Sequence, residues 1–171
     1  MRIGLQSWGT EGDLRPFVAL GQALQRRGHQ VQLVFTGVEG KDFTALVKSA
    51  GVATRFVDDG YFVRNREETA RRASEGLALG SPRRQFELIL RDMMDPVVDS
   101  MLEAARALAA ESDVMVGHFL AHTAATAAEE RARPFFMLAL QPVFASAHYP
   151  PAGAPSLGRW LNPLLWKLAE G

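Results

Sequence analysis

Apolar residues along this chain fall into two alternating rhythms. Arg2–Ser7 and Gln30–Phe35 are short, apolar-rich runs of strand length. Between them Leu14, Phe17, Val18, Gly21 and Leu24 recur at helical spacing. The helical pattern stops at Gly28, which stands in the C′ position where a positive φ costs glycine little. Strand, helix and strand within about 35 residues predict a βαβ unit.

The alternation continues. Phe43, Leu46, Val47 and Ala50 make a second helical face closed by Gly51, and Val52–Val57 is a third strand. Asp58–Arg66 reads as a loop, and "REETARRASEGLALG" as a charged segment that is either helical or mobile. Ser81 and Pro82 form an N-cap and first helical residue, and Asp95-Pro96 repeats that signature. Pro82–Ala110 is therefore two helices or one kinked helix. Asp113–His118 is a fourth strand, "FLAHTAATAAEERA" an Ala-rich helix and Pro134–Leu140 a fifth strand.

Strands apolar on both faces, alternating with helices, predict an α/β fold: a doubly wound, mainly parallel Rossmann-like sheet with helices on both faces. This domain is expected to span residues 1–156, ending in the Pro-rich His148–Ser156. Residues 157–171 carry Leu157, Trp160, Leu161, Leu164, Leu165 and Leu168 in an amphipathic helix. That helix is expected to lead toward a further domain.

Composition narrows the function. The 171 residues are 47% hydrophobic and 22% charged, as in ordinary globular proteins. Lys plus Arg equals Asp plus Glu, at 19 each, which argues against a nucleic-acid partner. The absence of cysteine excludes disulfides, thiolate metal sites and Cys nucleophiles. The sequence shows neither a signal segment nor the roughly 18 continuous apolar residues of a membrane span. A soluble cytoplasmic protein is expected, with peripheral membrane contact left open.

Ligands of an open parallel sheet bind outside the carboxyl ends of the strands, where strand order reverses. With strand order 3-2-1-4-5 this selects Trp8–Asp13, His118, and the chain from Gln141 onward. Three lookalikes fail. Gly9-Thr10-Glu11-Gly12 lacks the dinucleotide spacing, and strand 2 ends without an acid. "GVEGKD" has the wrong P-loop spacing. His118 and His122 stand four apart, as zinc ligands do on a helix, but no third ligand is evident, so no metal is expected.

Asp13 is the leading candidate. One reading makes it only the N-cap of the first helix, with Pro16 in the first turn. The other adds a general base, since helix N–H groups favour the carboxylate form. Gly9 and Gly12 would keep the loop thin enough for a substrate to approach the backbone. His118 is either a capping or solvated histidine or a functional partner of Asp13. Gln141 and Phe144 suit a small apolar acceptor bearing a hydroxyl, or are loop packing. Glu11 reads as a solvated loop acid, and His148 and Tyr149 as exposed or lining a mouth. The Trp160 and Trp166 face reads as core or inter-domain packing rather than a membrane anchor.

"GTEGDLRPFVALGQALQRRGHQV" (Gly9–Val31) resembles the opening motif of the family 28 and family 1 nucleotide-sugar glycosyltransferases. "FTALVKSAGV" and "DVMVGHFLAHTAATAAEERARPFFMLALQPVF" resemble later pieces in the same order. "LQPVFASAHYPP" resembles sterol and other lipid glucosyltransferases and macrolide-type enzymes most. The resemblance implies the N-terminal half of a GT-B enzyme, whose two Rossmann-like domains face each other across a cleft. This half would hold a small hydrophobic, hydroxyl-bearing acceptor at Gly9, Thr10, Gly12, Gln141 and Phe144. Asp13 would be the base of an inverting transfer, with His118 beside it. The co-substrate would be a nucleotide sugar, a UDP- or TDP-hexose, held by a donor-binding domain elsewhere in a longer chain or on a partner. This chain would bind no cofactor and no metal, and would be inactive alone. Two rivals remain: a non-catalytic binding module or subunit of a split transferase, and an unrelated Rossmann oxidoreductase, disfavoured by the missing fingerprint.

Overall fold

Strands and helices alternate as the hydrophobic pattern predicts. The order is β1 (Arg2–Gly9), α1 (Glu11–Arg26), β2 (Gln30–Gly37), α2 (Thr44–Ala50), β3 (Ala53–Phe56), α3 (Tyr61–Arg64), α4 (Arg66–Ala78), α5 (Pro82–Leu88), α6 (Val98–Glu111), β4 (Val114–His118), α7 (His122–Glu130), β5 (Phe135–Leu138) and α8 (Asn162–Glu170). A π-helical turn, Ile89–Met94, and a 3-10 turn, Asp95–Val97, join α5 to α6. The computed structural model describes residues 1–57, 60–78, 82–140, 145–151 and 154–170.

The sheet has the order β3-β2-β1-β4-β5, and every pair is parallel. Strand period 2 sends Ile3 and Leu5 to one face and Gly4, Gln6 and Trp8 to the other. The first face packs with Val31, Leu33 and Phe35 under Leu14, Phe17 and Val18 of α1 and Val47 of α2. The second packs Val34 and Met115 against the small side chains of α6 and α7, among them Ala105, Ala109, Ala124 and Ala128. Leu5, Leu14, Phe17, Leu33 and Phe35 are at most 1% exposed, each worth about 1.5–3 kcal/mol by burial.

Gln6 is the polar exception at the centre. It is fully buried, donates from Nε2 to the Met101 carbonyl at 3.0 Å and accepts from Thr123 Oγ1 at 3.0 Å. One amide thus ties β1 to both helices of that layer.

Several sequence expectations need correction. The 58–66 stretch contains α3, because Phe62 buries against Trp8 and Met94; residues 58 and 59 lie outside the described residues. The charged segment is helical as α4, where Arg71 pairs with Glu68 and Glu75 one turn either way. Pro82–Ala110 is the two helices of one reading, α5 and α6, joined by the π turn and the 3-10 turn. Pro96 sits in a 3-10 turn between the π turn and α6. The Ser81 cap lies outside the described residues. β5 is not covered on both faces: Phe136 is 61% and Met137 50% exposed on this edge strand.

The amphipathic helix begins at Asn162, later than the pattern suggests. Asn162 is buried, accepts from the Leu157 N–H and donates to the Ala147 carbonyl. Trp166 is buried and donates its indole N–H to the Tyr149 carbonyl, while Trp160 is 90% exposed. The two tryptophans therefore do not share a face, and Tyr149 packs edge-on against Trp166. Among the described residues no helix is long and apolar enough to cross a membrane.

Candidate functional site

β1 and β4 lie side by side, yet β1 leads outward to β2 and β4 leads outward to β5. The carboxyl ends of these two strands therefore flank the point where strand order reverses. β1 ends at Gly9, the chain turns at Thr10, and α1 starts at Glu11. β4 ends at His118.

Thr10 is the N-cap, and Asp13 is the third helical residue, not the cap its sequence position suggests. The spacing Thr-x-x-Asp makes a capping box. Asp13 Oδ2 accepts from the Thr10 backbone N–H at 2.7 Å and from the Thr10 hydroxyl at 3.0 Å. Ser7 of β1 donates its hydroxyl to the Asp13 carbonyl at 3.1 Å, pinning the helix start to the strand. Pro16 lies inside α1, beyond the predicted first turn; its missing N–H leaves the Gly12 carbonyl without an i+4 donor.

Gly9 makes this geometry possible. Its φ is +131°, and a Cβ there would lie 2.3 Å from Asp13 Oδ2. The glycine clears space for the carboxylate as well as thinning the loop. Gly12 is different: a Cβ would meet only Thr10 Oγ1, at 3.5 Å. Nothing among the described residues requires glycine there.

His118 is buried, at 3% exposure, and is not the solvated histidine of one sequence reading. Its Nδ1 accepts from the Leu120 N–H at 3.3 Å, and its ring packs near Phe17 and Phe119. A lone pair used at Nδ1 places the proton of the neutral ring on Nε2. Nε2 lies 3.5 Å from Asp13 Oδ1. That is longer than a full hydrogen bond, and Nε2 has no hydrogen-bond partner among the described residues. The contact is a directed dipole toward the one carboxylate oxygen that Thr10 leaves free.

Burial pushes the Asp13 pKa up, but His118 and the two Thr10 donors outweigh it and hold the carboxyl below its ordinary value. Asp13 is thus an ionised acid at neutral pH. The same helix end carries a second carboxylate. Glu39 accepts the Glu11 N–H at 3.0 Å and pairs with Lys41 at 2.6 Å. Lys41 and that N–H also hold Glu39 in its ionised form. Two acids at the first turn of α1 disfavour a phosphate there, in keeping with the failed nucleotide fingerprints. Glu11 is not a loop acid: it opens α1 and pairs with Arg15 one turn on.

The structure thus joins Gly9, Thr10, Gly12, Asp13 and His118 in one place. Gln141 and Phe144 lie outside the described residues. His122 opens α7 while His118 ends β4, so the two histidines do not share a helix. Sequence reasoning missed Ser7, the capping role of Thr10 and the Leu120 N–H. The Thr-x-x-Asp spacing before an apolar run was the available signal for the cap; a backbone N–H two residues past a histidine leaves none.

Comparison with known proteins places the chain in a family. The model of the glycosyltransferase family 28 N-terminal domain matches residues 3–150. An uncharacterized glycosyltransferase of Mycobacterium bovis is 28% identical over the whole chain, which spans 41% of that relative. An O-mycaminosyltylonolide 6-deoxyallosyltransferase of Streptomyces fradiae is 45% identical over 65 residues, 36% of this chain and 14% of the relative. Among solved structures, TcCGT1 in complex with UDP superposes with a TM-score of 0.57 at 14% identity, covering 85% of this chain and 29% of that one. The strand order, the opening loop and the match over most of its length agree: the chain belongs to the glycosyltransferase family 28 N-terminal domain, on a GT-B-type Rossmann-like fold.

Proposed function

We propose that this chain is the acceptor-binding half of an inverting glycosyltransferase, moving a hexose from a nucleotide sugar to a hydroxyl of a lipid, sterol or polyketide-like acceptor. The observation that carries the reading is the state of Asp13. Its carboxylate is ionised, Oδ2 is saturated by Thr10, and Oδ1 faces His118 with lone pairs to spare.

Asp13 Oδ1 takes the acceptor hydroxyl proton while the hydroxyl oxygen attacks the anomeric carbon. The bond from that carbon to the nucleoside diphosphate breaks, and its electron pair leaves with the diphosphate. Attack opposite the leaving group inverts the anomeric configuration. His118 cannot be the base, because Nδ1 already accepts a backbone N–H and Nε2 carries the proton. Its part is to orient and stabilise the carboxylate. The donor site belongs to the rest of a longer polypeptide or to a partner chain; the relative matched end to end is more than twice as long. The chain by itself is then inactive.

The test is Asp13→Asn in the complete two-domain enzyme. Asparagine keeps an acceptor for the Thr10 N–H, so the fold stays, while kcat drops by roughly 10²–10⁴. Unchanged turnover would remove Asp13 as the base. The anomeric configuration of the product, read by NMR, tests inversion separately.

A further inference from the structure

The two carboxylates at the start of α1 are held by neighbouring amides. Asp13 Oδ2 accepts the Thr10 N–H at 2.7 Å, and Glu39 Oε2 accepts the Glu11 N–H at 3.0 Å. Consecutive amide nitrogens lie within about 4 Å of each other, so the two acids stand side by side. The sheet register brings them together. Gly9 stands opposite Gly37, and the Val38 N–H donates to the Gly9 carbonyl at 3.0 Å. The loop after β2 is thereby fastened along the turn that opens α1, and Glu39 is the residue after Val38. Lys41, two residues on, places Nζ 2.6 Å from Glu39 Oε1. The other charged groups nearby are engaged elsewhere. His118 approaches the other Asp13 oxygen, Oδ1, at 3.5 Å. Glu11 and Arg15 pair with each other along α1, and Asp42 accepts the Thr44 N–H.

We propose that Glu39, with Lys41 as its counter-charge, is a positioning residue that fixes the first turn of α1 and keeps Asp13 a stronger base than its own donors would leave it. The catalytic consequence rests on the base role of Asp13 proposed above. Two Thr10 donors, His118 and the start of α1 all favour the bare carboxylate, and every such donor weakens it as a proton acceptor. A general base works best when its pKa is not far below the working pH. A second negative charge on the adjacent amide acts in the opposite sense. Lys41 foremost, then the Glu11 N–H, holds Glu39 below its ordinary value, against burial and against the charge of Asp13. That repulsion is mutual, so an ionised Glu39 favours the proton on Asp13. Lys41 offsets part of the Glu39 charge and sets how much of it Asp13 feels.

The test removes the two charges one at a time and reads shifts of opposite sign. Glu39→Gln keeps an acceptor for the Glu11 N–H and deletes the charge. The ¹³C NMR titration of the Asp13 carboxyl in this chain should then move to lower pH. In the complete enzyme kcat should fall about two- to fivefold as the base weakens. Lys41→Met leaves the Glu39 charge uncompensated and should move the titration to higher pH. The double variant should fall between the two. Lys41 is half exposed, so its variant keeps the fold and the sign stays readable whatever Glu39→Gln does to Tm. A loop that only braces the fold would move both titrations the same way or neither, and either result overturns the proposal. The base role is decided separately. Titrations that shift as stated, with turnover of both variants unchanged, would remove Asp13 as the base and leave its coupling to Glu39 standing.

Discussion

His118 presents Nε2 to Asp13 Oδ1 at 3.5 Å because Leu120 N–H occupies its other ring nitrogen. The carboxylate in the first turn of α1 and the histidine at the end of β4 lie over a hundred residues apart in sequence. A buried ring with one tautomer fixed acts on the carboxylate only as a proton donor.

That relationship sets the pH behaviour. The folded pKa of Asp13 is depressed below its ordinary value of 3.8. The ionised form, and the stability it brings, are therefore present above the unfolded pKa and lost as pH falls through the lower folded one. In the complete enzyme the acid limb of kcat/KM should lie below the ordinary carboxylate range. His118→Asn removes a lowering influence and should move that limb upward, as should the ¹³C titration of the Asp13 carboxyl. A limb that stays in place would disconnect His118 from the ionisation of Asp13.

Gly9 and Gly12 should separate cleanly. Gly9→Ala forces a Cβ onto the Asp13 carboxylate at an unfavourable φ, costing about 1–3 kcal/mol in strain and most of the activity. Gly12→Ala meets nothing closer than 3.5 Å and should stabilise the helix by up to about 1 kcal/mol. If Gly12 is kept for a ligand, Tm rises while turnover falls. Thermal melts beside activity assays read both.

Thr10→Ala removes the cap and one donor to Asp13, with an expected loss of about 1 kcal/mol. Thr10→Ser should restore the stability. Chemical denaturation of the two variants checks the pair, and equal loss in both would assign the effect to something other than the hydroxyl.

Gln6→Leu should cost more than any surface change, about 2–4 kcal/mol, because it leaves the Met101 carbonyl and the Thr123 hydroxyl unpaired in the core. Adding Thr123→Val should recover part of that loss. A double-mutant cycle by urea unfolding measures the coupling.

The alternation of strand and helix and the parallel sheet followed from local rules, and the 3-2-1-4-5 order is the common arrangement of such sheets. Apolar strands of four to eight residues and helical spacing between them leave few other folds. Asp13 was legible too, since a loop after the first strand must fall at the switch point. The residues that complete the site were not. Whether His118 is solvated or buried depends on Phe17 and Phe119 closing over it, and its tautomer depends on one backbone N–H. Local sequence carries no signal for either.

The stretch from Arg64 to Val98 shows the same limit. Its charges and prolines forecast breaks but not the π turn, which exists because Met94 and Phe62 pack down onto Trp8. By itself, then, the sequence determined the layers and the loop that carries the carboxylate, because hydrophobic period and turn chemistry act over a few residues. Tertiary structure alone decided which polar groups in the core are satisfied. Gln6 finds both its partners, while Trp8 Nε1 and Thr36 Oγ1 find none among the described residues, since hydrogen bonds in a dry interior depend on what arrives from distant parts of the chain.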